Sequence, residues 1–333
     1  MSRKRVNLSE VLPLKMPFSL HVFPSYYCNF HCSYCLHNLS PEKLKKRHFK
    51  KELLRIDHYK KAIDGIKEFP DKLKTIIFAG HGEPLIHKDI AEMVKYANEA
   101  KVSNRTEIVT NASLLTKEMA DNLIAADLSL LRVSLQGVTD EMYRKVGGTD
   151  YPVSSLVNNI KYFYEHRKHT MIHVKIINVG LNNEKEKELF YDLFSPICDE
   201  ATIEFLIPFI NEIDHTSITD DLSKCKLGHS QSISKICSMP FYMLSLEPNG
   251  NLVPCCSSVV PYVYGNIQRN NLKIIWDSKE RNDFLCMQLT DLTQNKICKE
   301  CSVPKYGLQE GDYLDDDKER LLKIYRGIET WQS

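Results

Sequence analysis

The sequence predicts an α/β chain: a partial (β/α)6 TIM-like barrel followed by a small C-terminal unit made of a β-hairpin and a helix. Three observations carry this expectation. Between residues 18 and 209 six short β-rich runs alternate with longer amphipathic stretches. That rhythm implies a parallel sheet, because each crossover between parallel strands must return through a helix. After Phe209 the rhythm stops, and cysteines then recur in spaced groups.

The elements follow in order. Residues 1–17 form an N-terminal lead, and the barrel spans 18–209. Its strands are expected at FSLHVFP (18–24), KTIIFAG (74–80), EIVTNA (107–112), LLRVSLQ (130–136), HVKIINV (173–179) and TIEFLIP (202–208). Helical patterns lie between them at IAEMVKYANEA (90–100), KEMADNLIAA (117–126) and VSSLVNNIKYFYEH (153–166). Right-handed winding curls such a sheet toward a barrel and places chemistry on the loops after the strands. Residues 210–236 are polar and read as a linker. In the C-terminal unit, 237–333, FYMLSLEPNGNLVPCC alternates around a Pro-Asn-Gly turn and reads as a hairpin. NNLKIIWDSKERNDFLCMQL reads as helix, and the tail around KERLLKIY as a terminal helix.

Composition narrows the function classes. The 333 residues are 43% hydrophobic and 26% charged, ordinary for a globular chain, with 44 basic and 43 acidic residues for a net charge of +1. That balance argues against a general nucleic-acid or membrane-surface binder. No apolar run has signal-peptide or membrane-span length, so a cytoplasmic location is expected. The basic run EKLKKRHFKKE (42–52) reads as a solvated face, or else as a surface for an acidic electron donor or anionic substrate.

Eleven cysteines require an explanation. The chain is large, lacks a secretion signal and has an odd count, so thiolate ligation is a better reading than disulfides. Directly after the first strand, YYCNFHCSYC places Cys28, Cys32 and Cys35 as C-x3-C-x2-C. A structural zinc site needs a fourth ligand, and His31 or His37 would make Cys3His zinc the competing reading. A four-iron cluster held by three cysteines instead leaves one iron open, as catalysis needs.

C-x3-C-x2-C after a first barrel strand, with Tyr34 before the third cysteine, resembles the radical S-adenosylmethionine (SAM) superfamily. AGHGEPL (79–85) resembles that family's GGEP motif, with His81 in place of a glycine. VTNASLL (109–115) resembles its TNG motif, with Ala112 for glycine, and VSLQG (133–137) resembles ISLDG. The resemblance implies that SAM chelates the open iron and is cleaved reductively, giving a radical that abstracts a substrate hydrogen. It also implies a SAM pocket made by Tyr34, Gly80, His81, Gly82, Glu83, Pro84, Asn111 and Ser134. Arg144 falls where relatives place a carboxylate-binding base, and Asn178, ending the fifth strand, is a further candidate. A lone Ser134 or Asn111 would read as a turn or capping residue; their shared position at successive strand ends groups them. Glu83, a carboxylate between Gly82 and Pro84, is expected to have little structural purpose.

A second set, Cys237, Cys255, Cys298 and Cys301, supplies four thiolates, a count that zinc fits as well as a cluster does. C-x12-G-x4-C, then YGNIQRNNLKIIWDS and a closing C-x2-C, resembles the SPASM/twitch extension of radical SAM enzymes. The resemblance implies one fully ligated auxiliary [4Fe-4S] cluster besides the SAM-binding one. Cys256 is not needed as a ligand; it is a small buried thiol or a hydrogen donor to a substrate radical. Cys198, Cys225 and Cys286 fall into no pattern.

Together these imply an oxidoreductase acting at a C–H centre of a small carbohydrate-like or aminocyclitol molecule, by dehydrogenation or epimerisation. A flavodoxin- or ferredoxin-like protein would supply the electron. The alternative is a peptide-modifying enzyme, although only 27 residues precede Cys28, few for a leader-binding domain. A non-enzymatic electron carrier is the contrasting class, and it would have no use for an open three-cysteine site.

Overall fold

A computed structural model describes residues 6–219, 221–230, 233–309 and 311–327. Six strands, β1 (Ser19–Val22), β2 (Thr75–Phe78), β3 (Thr106–Thr110), β4 (Leu130–Leu135), β5 (Met171–Ile177) and β6 (Glu200–Glu204), pair in parallel in chain order. Five crossover helices join them: α1 (Ile56–Ile66), α2 (Ile90–Ala100), α3 (Lys117–Ala125), α4 (Val153–His166) and α5 (Glu184–Phe194). Each buries one stripe. On α2 it is Ile90, Met93, Val94 and Ala97, the spacing that keeps one helix face on the sheet. Thr116 and Asn183 cap α3 and α5 by accepting from the Met119 and Glu186 amides.

Except for β5, which keeps its length but starts two residues earlier, the strands are shorter than the sequence runs suggest, for local reasons. Pro24 has no amide to continue β1, Gly80 takes φ +112° just beyond β2, and Ala112 takes φ +57° just beyond β3. After β6 the pattern also changes, with no long helix among the described residues before the next strand.

That strand, β7 (Met243–Leu246), lies parallel to β1, Ser19 opposite Met243. β8 (Asn251–Val253) and β9 (Gly265–Asn266) then follow antiparallel. The result is one open nine-stranded sheet, β6-β5-β4-β3-β2-β1-β7-β8-β9. The Pro-Asn-Gly hairpin thus extends the barrel sheet, with Gly250 at φ +83° closing its turn. The expected long helix splits into Leu272–Trp276 and α6 (Lys279–Asp291), because Ser278 caps a new start by accepting from the Arg281 amide.

One large core lies between the sheet and its helices. On β4 and β5, Leu131, Val133, Leu135, Ile172, Val174 and Ile176 are buried in it. Arg132, Ser134, His173 and Lys175 alternate with them and therefore face the concave side. A second cluster packs Leu8 and Leu12 from the N-terminal lead onto Phe241, Leu285 and Leu321. Among the described residues no helix is long and apolar enough to cross a membrane.

Candidate active site

The loop after β1 carries Cys28, Cys32 and Cys35 and is tied to its neighbours on several sides. Its Tyr27 carbonyl accepts from the Glu83 amide (2.8 Å), and the His31 and Ser33 amides donate to Gly147 and Val146 (3.1 and 2.8 Å). The Cys35 amide closes a turn onto Cys32 O (2.9 Å). Burial pushes the Cys28 thiol up to about 12, and burial raises Cys32 and Cys35 too, with neighbouring sulfurs further disfavouring ionisation of Cys28 and Cys32. Such a set stays protonated unless a cationic centre supplies the compensating charge, which is what an iron–sulfur cluster does.

The loop after β2 is built around its glycines. A Cβ on Gly82 would overlap Ser25 O and come within 2.6 Å of Tyr27 O, and one on Gly80 would sit 2.5 Å from the Phe23 ring. Only glycine lets this loop approach the cysteine loop so closely. Glu83 differs from the expectation that it lacks a structural purpose. Its carboxylate accepts from the Leu85 amide (2.9 Å), the Thr110 hydroxyl (2.6 Å) and the Asn111 amide (2.8 Å). It is buried, and Pro84 starts the short turn Pro84–Ile86 that it caps. The carboxylate is a latch between the ends of β2 and β3, because a buried charge is tolerable only when fully hydrogen-bonded.

Other candidates distribute around the same rim. Asn111 donates from Nδ2 to Asn29 Oδ1 (3.0 Å) and accepts from Ser113 N and Oγ (2.9 and 2.6 Å). Tyr34 donates its hydroxyl to Gln136 Oε1, joining the cysteine loop to the end of β4. Ser134 stands on the inner face of β4 with Lys175 opposite on β5. Asn178 Oδ1 accepts from the Leu206 amide (2.8 Å), tying the ends of β5 and β6. Arg144 stands apart on the helix Asp140–Lys145, largely solvent-exposed and 3.6 Å from Asp150.

His81 has a different orientation from its neighbours. Its carbonyl accepts from His37 Nε2 (2.6 Å), while its ring lies against Phe23 and Tyr26 and places Nε2 3.0 Å from Ser257 O. Burial holds its pKa down to about 4, so the ring is neutral and Nε2–H donates. Through it, the loop after β2 is bonded to the segment that carries Cys255 and Cys256. Arg47, from the basic run, makes a second tie: it pairs with Glu212 (2.5 Å) and donates to Ser258 Oγ (3.0 Å). That run is therefore only partly a solvated face.

Cys237, Cys255, Cys298 and Cys301 line one largely apolar pocket, with Phe284 and Gln288. Asn295 caps the helix Lys296–Glu300 by accepting from the Ile297 and Cys298 amides, presenting the C-x2-C pair. Gln288 donates to Cys298 Sγ (3.2 Å), and burial raises that thiol to about 11. Cys256 is not among the lining residues. Burial raises its thiol too, and the Lys226 ammonium acts against that. Among the described residues no three His, Cys, Asp or Glu side chains converge closely enough for a single ion.

Sequence reasoning did not single out Asn29, Gln136, Arg47 or the group Lys175, Glu204 and Lys226. Gln136 had a signal, a polar residue just past a strand end. The others are recognisable only once separate elements meet.

Comparison with known proteins agrees with this geometry. The family model for the Radical SAM superfamily matches residues 22–193, and that for the SPASM iron–sulfur cluster-binding domain matches 237–302. The chain is 26% identical over 326 residues to the tungsten-containing aldehyde ferredoxin oxidoreductase cofactor-modifying protein of Pyrococcus furiosus, covering 83% of this chain and 85% of the relative. Among solved structures, BtrN in complex with AdoMet and 2-DOIA aligns with a TM-score of 0.55 at 16% identity, over 90% of this chain and 98% of that one. Streptococcus suis SuiB bound to its precursor peptide SuiA aligns with a TM-score of 0.63 at 16% identity, over 93% and 77%.

Proposed function

This chain belongs to the radical SAM superfamily and carries a C-terminal SPASM domain, and from that premise we propose that it oxidises or inverts a C–H/C–OH centre of a small carbohydrate-like or aminocyclitol substrate. SAM and two [4Fe-4S] clusters supply, when bound, a 5′-deoxyadenosyl radical for hydrogen abstraction and an acceptor for the remaining electron. In this reading Cys28, Cys32 and Cys35 hold the SAM-binding cluster, and Cys237, Cys255, Cys298 and Cys301 hold the auxiliary one. Ser134 and the backbone of residues 80–83 contact SAM, with Glu83 and Asn111 fixing the shape of that rim. A flavodoxin- or ferredoxin-like protein delivers the electron, in a compartment reducing enough to keep thiolate ligands available.

The observation that supports oxidation most is the pocket with four cysteines in the unit whose first strand pairs with β1. A radical source and a closed redox site on one sheet suit a net two-electron reaction. Inversion is the second reading, and Cys256 favours it. Its thiol lies outside the four-cysteine pocket and near Lys226, free to give a hydrogen atom to a substrate radical.

Turnover in deuterated water separates the readings. The anaerobically reconstituted enzyme would be given SAM, reductant and a panel of amino sugars, nucleotide sugars and short peptides, with products read by mass spectrometry. Loss of two hydrogens without deuterium gain means dehydrogenation. Unchanged composition with one deuterium means inversion, and Cys256→Ala should then keep both clusters and SAM cleavage yet lose product. Turnover of peptides alone would replace the carbohydrate reading with the peptide one.

A further inference from the structure

The concave side of the sheet holds a charge pattern that nothing above uses. Near the rim, Lys175 on β5 and Lys226, from the segment after β6, share the single carboxylate of Glu204 on β6. Lys175 is the closer, at 2.8 Å, and its side chain is only 15% exposed; Lys226 stands 3.3 Å away and is 44% exposed. Below them, Arg132 on β4 meets Glu107 (3.0 Å), whose carboxylate is already taken by Arg105 (2.5 Å) and the Thr75 hydroxyl (3.0 Å). Glu200, paired with His173, lies at the far end of β6 and is solvent-exposed. At the rim the carboxylate of Glu83 is consumed by its three donors. On β4–β6 the upper layer therefore holds two ammonium groups for one carboxylate; the next one at the rim, Glu247 beyond β7, is bonded to the Tyr26 hydroxyl.

Position gives that excess a use. Lys175 sits opposite Ser134 in the β4–β5 register, beside the residue assigned to the SAM pocket. Lys226 is held by backbone bonds on both sides: Phe205 N donates to its carbonyl (2.9 Å) and its own amide donates to Tyr306 O (3.2 Å). The pair thus lies between the Ser134 side of the barrel and the C-terminal unit, which Lys226 reaches at Tyr306. A partly desolvated cation without its own counter-ion favours a second anion there far more than it would in water. Lys175 bears this out: burial, then the nearby Lys226, push it down to about 8 despite its direct contact with Glu204.

We propose that the substrate carries an anionic group, a carboxylate or phosphate, and that Lys226 and Lys175 receive it in competition with Glu204. This rests on the barrel side being the substrate chamber, and it narrows the substrate class to acidic or phosphorylated molecules. The same chemistry has a second source, the carboxylate of SAM itself, and the test separates the two.

Inorganic pyrophosphate serves as the probe, titrated calorimetrically into the anaerobic holoenzyme with SAM bound. The wild type binds it, and Lys226→Gln weakens binding by roughly tenfold, the loss of one charge-assisted contact. Lys226→Arg retains it. Glu204→Gln, which removes the competitor, tightens binding by roughly threefold or more. Opposite signs for these two substitutions are what a merely structural ion pair would not produce. Absence of wild-type binding, or weakening by both substitutions, overturns the proposal. So does a fall in SAM affinity parallel to that for pyrophosphate, which would assign the lysines to the cofactor. Failure of the dehydrogenation and inversion readings in deuterated water leaves the binding signs unaffected, so the two ideas fail separately.

Discussion

Gly82 illustrates how a single atom governs the rim. Its Cα lies where any Cβ would overlap the Ser25 carbonyl, so the loop after β2 can lie on the cysteine loop only if that position is glycine. Gly82→Ala is expected to cost about 3 kcal/mol by forcing two backbones apart, and to weaken SAM binding with it. A thermal scan beside a SAM titration checks this; an unchanged affinity would show that the loop does not shape the pocket. Ala112 makes the converse point. It holds a left-handed φ of +57° in full burial, the conformation a glycine would take without strain. Its methyl group contributes to the core, a compensation that makes alanine tolerable in a motif resembling one with glycine.

At the scale of elements, the short helix Pro41–Lys46 and the coil after β6 are joined to the auxiliary loop by Arg47. Its guanidinium is nearly buried, forks onto Glu212 and reaches Ser258, and it holds the Glu212 carboxyl below its usual range. Because Glu212 is about one-third exposed, the clamp is worth less than a fully buried pair. Arg47→Ala should cost about 1.5–3 kcal/mol and mainly loosen residues 256–260. Hydrogen exchange would read this as faster exchange there with little change in β1–β6. Arg47→Lys should recover only part, since an ammonium cannot make the forked contact. Uniform exchange across the molecule would mean that the contact is a global rather than a local support.

At the scale of the molecule, the seven patterned cysteines lie on loops and one short helix that a single continuous sheet carries. The holoenzyme should carry about eight irons. Cys298→Ala with Cys301→Ala should lower this to about four while 5′-deoxyadenosine is still released, and should abolish two-electron turnover. Cys28→Ala with Cys32→Ala should also leave about four irons but end SAM cleavage. Iron analysis and chromatography of the nucleoside test both, and loss of all iron from either variant would show that the two sites assemble as one.

Much of this was legible in the sequence because it is local. Strand–helix alternation, the two cysteine spacings, the Pro-Asn-Gly hairpin and the glycines near residue 80 are each set by neighbours within a few positions. The resemblance those motifs carry named the family to which the chain belongs. What only the tertiary structure decided depends on contacts between distant segments. Glu83 became a latch because Thr110 and Asn111 meet it 27 and 28 positions away. His81 turned toward Ser257 because β7 docks beside β1 and carries the auxiliary loop with it. Residues 210–236 looked like a linker by composition, yet Lys226 within them faces Glu204 and Lys175 on the strands. Local pattern records which side of an element is apolar; which charges then share one desolvated chamber is settled only when the elements pack.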